Sequence, residues 1–70
     1  MDFSDALKLL KQGATLRRDS WSGDKYIELI HDKNSDLFLP YIRIITKDNK
    51  IGMYTAINCD IFANDWVLLE

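Results

Sequence analysis

Phe3, Ala6, Leu7 and Leu10 fall at i, i+3, i+4 and i+7, which draws one apolar stripe along a helix. Ser4 is the candidate N-cap. Asp5 would sit in the first turn, where the positive end of the helix dipole favours a carboxylate. Gly13 suits the position just past a helix end. The spacing therefore predicts a helix over residues 4–12. Leu9 falls off the main stripe and reads either as a solvent-tolerated leucine or as a contact to another subunit.

After the glycine the period changes from helix to strand. Residues 15–18 read as a short strand, and residues 19–24 form a turn-rich stretch around Trp21. Residues 25–31 alternate, with Tyr26, Glu28 and Ile30 on one face and Ile27, Leu29 and His31 on the other. Residues 32–36 are a polar loop, and Pro40 ends the short piece 37–39 or marks an edge. Residues 41–46, rich in isoleucine, make the clearest strand. Residues 47–50 read as a hairpin turn into a strand at 51–54. Residues 58–64 predict a second short helix, and residues 66–69 a last strand. The expected fold class is α+β: a small antiparallel sheet with an N-terminal helix and a second short helix near the C-terminus.

Composition narrows the classes. Seventy residues imply a single domain, 1–70, too small to bury a large core. One cysteine, Cys59, allows no internal disulfide, and with one histidine, His31, it cannot build a structural zinc site within one chain. Oligomerisation remains as the route to stability, and 47% hydrophobic residues can supply an interface. A lone cysteine, no membrane-length apolar run and no signal peptide lead to the expectation of a cytoplasmic protein. The net charge of -2 argues against a DNA or RNA polymer as partner. A small phosphorylated ligand needs only a few local cations.

Each candidate residue carries a plain reading beside a functional one. Trp21 either folds back over the core or offers a stacking platform to a base. Trp66 opens an apolar strand and reads as core. Arg17 and Arg18 alternate across a strand, so one of them can face a given pocket. They read as solvated charges, a salt bridge to Asp19, or a guanidinium fork for a phosphate or carboxylate. Asn58 and Asp60 read as caps of the second helix. They also read as hydrogen-bonding groups for a base edge or ribose, with helix N–H groups beside them for an anion. Tyr54 and Thr55 could add hydroxyls. His31 reads as a surface or loop-edge residue, and Cys59 as a small, partly buried one. Nothing in the sequence orients the two as a nucleophilic pair. Glycine-rich phosphate loops, metal-ligand spacings and serine elbows are absent from the sequence.

The ordered set of segments resembles a known family. Phe3-Ser4-Asp5-Ala6-Leu7 with Leu10, Lys11 and Gly13 is similar to its opening helix. Arg17-Arg18-Asp19-Ser20-Trp21-Ser22-Gly23 resembles its Arg-x-x-Trp-x-Gly segment. Residues 41–51 resemble its central hairpin. Asn58-Cys59-Asp60-Ile61-Phe62-Ala63-Asn64-Asp65-Trp66 resembles its closing pattern. The match runs nearly the whole chain, in order, with no large insertion. The family is the phage Thoeris anti-defence sponge family of the second type, formerly a domain-of-unknown-function family.

The resemblance implies a homotetramer that binds and does not cleave glycocyclic ADP-ribose, the signal of Thoeris systems. It implies ligand pockets between protomers, and in some members a separate site for CBASS cyclic dinucleotides. No cofactor, metal or membrane is implied. Together with the chemistry above, it makes Phe3, Arg17, Arg18, Trp21, Thr55, Asn58 and Asp60 the expected ligand-binding residues. The family often has Trp-x-Pro-Ser before the Asp. Here Tyr54-Thr55-Ala56-Ile57 stands instead, and the loop after the second strand is short. The rival expectation is a small protein-interaction module that inhibits a host protein. An enzyme acting on nucleotides would need a general base near the scissile bond, and none is evident.

Overall fold

In chain order the elements are α1 (Phe3–Lys11), β1 (Leu16–Arg18), β2 (Tyr26–Ile30), β3 (Tyr41–Ile45), β4 (Ile51–Met53), α2 (Asn58–Ile61) and β5 (Trp66–Leu68). The computed structural model describes residues 1–21, 24–31, 39–46 and 48–69. The polar loop expected at 32–36, most of the piece at 37–39, and Ser22, Gly23 and Lys47 of the two turns lie outside the described residues. The expected class holds: one antiparallel sheet with two helices, α+β.

α1 begins one residue before the predicted start, and its cap is Asp2 rather than Ser4. The Asp2 side chain accepts the Asp5 N–H at 2.9 Å. Aspartate caps as well as serine, and starting there brings Phe3 into the first turn. Asp5 near the start and Lys8 and Lys11 near the end complement the helix dipole. At the far end the Gly13 N–H reaches the Leu10 carbonyl at 3.0 Å and the Ala14 N–H reaches that of Leu9 at 3.1 Å. This is the Schellman pattern, and it needs the left-handed backbone that Gly13 supplies at φ +94°.

The five strands match the predicted ones, each trimmed by a residue at one or both ends. Their order is β4-β3-β2-β1-β5, with every neighbouring pair antiparallel. The β3–β4 turn closes through Asn49 at φ 60°, a conformation that asparagine tolerates. Its N–H reaches the Thr46 carbonyl at 2.9 Å.

Alternation along the strands sorts the residues onto two faces. One carries Leu16, Ile27 and Trp66, which join Ala6 and Leu10 of α1 in the buried cluster. Phe3, Leu7, Leu29, Ile42 and Ile44 pack around it. Leu9 packs there as well, so its place off the stripe needs no subunit contact. The opposite face carries Ile45, paired with Tyr26 and Ile51, and the Glu28–Arg43 ion pair at 2.5 Å across β2 and β3. Among the described residues no helix is long and apolar enough to cross a membrane.

Candidate functional site

The segments around Trp21 and Trp66 are far apart in sequence and meet because β1 and β5 pair antiparallel, Arg18 opposite Trp66. Trp66 is 2% exposed, as expected of core. Phe3 tilts against it at 5.4 Å between ring centroids, and Trp21 meets it edge-on at 5.5 Å. Tyr54 meets Trp21 edge-on at 6.2 Å. Both Trp21 and Phe3 are half-buried and pack on the core, so the covering reading of Trp21 is met. Part of its ring still faces outward, with the Lys25 ammonium 5.5 Å above the centroid.

Beside this cluster lies a charged one, centred on Asp60. Its carboxylate accepts from the Arg18 guanidinium at 3.0 Å and from the Tyr54 hydroxyl at 2.8 Å. Its backbone carbonyl accepts the Trp66 indole N–H at 2.9 Å. Asp60 is 7% exposed, so these bonds replace water that it has lost. Asp65 takes the other side of Arg18 at 2.8 Å and also accepts the Ser20 N–H at 3.1 Å. The Asp19 N–H reaches the Asp65 carbonyl at 2.9 Å. Two strands and one helix that carry the sequence motifs are thereby tied together: β1, α2 and the entry to β5.

The electrostatics follow the contacts. The Arg18 hydrogen bond holds the Asp65 carboxyl below its usual value, with help from Ser20, while burial opposes. The hydrogen bonds that Arg18 donates to both carboxylates raise its own value further. Burial, and then its bond to the Asp60 carboxylate, push the Tyr54 phenol well above its ordinary value. One guanidinium shared by two carboxylates leaves a local net charge of -1, which does not attract a phosphate.

The expected ligand residues thus divide. Arg18 and Asp60 spend their side chains on each other and on Asp65 and Tyr54. Arg18 does not turn to Asp19, the partner that adjacency suggested. Arg17, on the alternate face, donates to the Trp21 carbonyl at 2.6 Å and to the Arg18 carbonyl at 3.4 Å. Thr55 and Asn58 are exposed.

Three local expectations need correction. Neither Asn58 nor Asp60 caps α2: the cap position is Ile57, with no side-chain bond, and Asp60 turns toward the sheet. α2 is a four-residue turn rather than the longer helix predicted, so its dipole is too small to hold an anion by itself. Cys59 is exposed rather than partly buried. His31 is exposed, as read. Sequence reasoning missed Asp65 and Lys25. Asp65 was legible as the neighbour of Trp66 once β1 and β5 are paired; Lys25 carries no motif and emerges only from its place over Trp21. Among the described residues no cluster of side chains suits a metal ion.

The profile of the Thoeris anti-defense 2-like domain matches residues 1–69. The curated Thoeris anti-defense 2 protein of Bacillus phage SP01 is 30% identical over 85 aligned positions, covering 100% of this chain and 96% of the relative. Those 85 positions accommodate 70 residues, so the likeness to this relative, although end to end, does include insertions. By this match along nearly its full length, the chain belongs to the Thoeris anti-defense 2-like family.

Proposed function

We propose that this protein is a phage anti-defence sponge. It binds glycocyclic ADP-ribose, the signal of Thoeris systems, and withholds it without cleaving it, in the cytoplasm of the infected bacterial host. The observation that carries the reading is family membership over residues 1–69. The chemistry of the surface supports it. A half-exposed tryptophan braced edge-on by Tyr54 and Trp66 suits a base, because aromatic faces stack on any base. Thr55 and Asn58 are exposed polar groups able to read a ribose or base edge. Phe3, Arg17, Arg18 and Asp60 then act mainly by bracing that surface. Cyclic dinucleotides of CBASS systems, at a separate site, extend the same proposal.

The sponge is a homotetramer with its ligand between protomers. Exposed apolar residues support this part: Leu39 at 86%, Met53 and Phe62 at 78% each. Isolated apolar residues on a surface are ordinary, but several large ones on so small a chain suit an interface. The same residues favour the second reading, a protein-interaction module that blocks a host protein.

Calorimetric titration with glycocyclic ADP-ribose separates the two, together with light scattering. The sponge binds the nucleotide at about four times the 8.2 kDa chain mass. Trp21→Ala weakens binding by about 1–3 kcal/mol while the fold survives. A monomer that takes up no nucleotide refutes the sponge and favours the interaction module.

A further inference from the structure

We propose that Lys25 is the phosphate-binding cation of the Trp21 site, a role that rests on the sequestration reading above. The neighbouring cations are already engaged within the chain. Arg18 lies between Asp60 and Asp65 at 3.0 and 2.8 Å. A phosphate arriving there would meet a net negative group and would have to break two ion pairs. Arg17 holds the Trp21 carbonyl at 2.6 Å and so shapes the turn that presents the ring.

Lys25 differs from both. Among the described residues it pairs with no carboxylate, and its ammonium lies over the Trp21 ring, 5.5 Å from the centroid. A cation over a partly exposed ring is held only weakly. Its four-carbon stem lets the ammonium swing aside when a base takes its place over the ring. The displaced ammonium then stands at the edge of the stacked nucleotide, where a phosphate joined to that base through its ribose can reach it. Among the described residues no other ring lies flat against Trp21, since Tyr54 and Trp66 both meet it at steep angles of 60° and 77°. Lys25 therefore guards the stacking face in the free protein and supplies the counter-charge in the complex.

The test is calorimetric titration of glycocyclic ADP-ribose into wild-type, Lys25→Met and Lys25→Arg proteins at low and high salt, with melting curves for all three. Methionine keeps the apolar cover on Trp21 and removes the charge. A charge-assisted hydrogen bond to phosphate corresponds to about a tenfold to hundredfold change in affinity. Lys25→Met should lose that factor and with it most of the salt dependence, Lys25→Arg should keep most of the affinity, and the melting temperatures should agree. Wild-type binding with an unaffected Lys25→Met overturns the role of Lys25 alone. Equal losses in both variants with lowered melting temperatures make Lys25 structural and overturn it too. Wild-type protein that takes up no nucleotide overturns the sequestration reading itself.

Discussion

Replacing Trp66 is the most searching test of how the fold is held. The side chain is 2% exposed and lies where α1, β1, β5 and the Trp21 turn converge. Trp66→Ala empties that site, at a cost of about 3–5 kcal/mol. It also strips the Asp60 carbonyl of the indole N–H at 2.9 Å. Trp66→Phe keeps most of the packing and loses that bond, which contributes about 1 kcal/mol. A chain of 70 residues has only about 4–10 kcal/mol in total, at roughly 0.05–0.15 kcal/mol per residue. Trp66→Ala should therefore leave the protein marginal or unfolded at room temperature, and Trp66→Phe folded with a lowered midpoint. Urea unfolding followed by circular dichroism at fixed protein concentration measures both. A loss below about 1 kcal/mol for Trp66→Ala, or equal losses for the two variants, refutes this account of the core.

Two predictions concern pH. Asp65 titrates below its ordinary 3.8 in the folded protein, chiefly because of Arg18, so its share of stability is present above that value and disappears as pH falls through the lower folded value. Asp65→Asn should flatten this acid limb in urea midpoints taken across a pH series; an unchanged limb contradicts the ion pair. Tyr54 titrates above its ordinary 10.0, chiefly through burial, so its share is intact below pH 10.0 and is lost as pH rises beyond it. Tyr54→Phe should lower stability at neutral pH and weaken the alkaline limb, and an alkaline limb identical to wild type counts against a Tyr54 phenol raised by its surroundings.

Much of the fold was legible because its signals are local. The stripe from Phe3 to Leu10 and Gly13 mark α1, and alternation marks all five strands. In α1 the cap falls at Asp2 rather than Ser4, since both are good caps and the choice depends on where Phe3 must pack. α2 ends early at Ile61 for a long-range reason. Asp65 is drawn to Arg18 and Ser20, and the chain turns at Phe62 and bends at Asn64 on the way there. The site was legible as segments rather than as geometry. Spacing brought out Arg18, Trp21, Asp60 and Trp66, but Arg18 and Asp60, 42 positions apart in sequence, meet only because the strand order sets β1 beside β5. For the same reason the sequence could not tell that Arg18 would be neutralised from within the chain, leaving Lys25 over the ring.

Recovery of the intact signal separates capture from chemistry. The protein is incubated with a limiting amount of glycocyclic ADP-ribose and filtered, and the retained fraction is heated and analysed by mass spectrometry. A sponge depletes the filtrate, and heating returns the nucleotide at its original mass and in full yield. A nucleotide that stays in the filtrate, or returns with altered mass, contradicts the sponge.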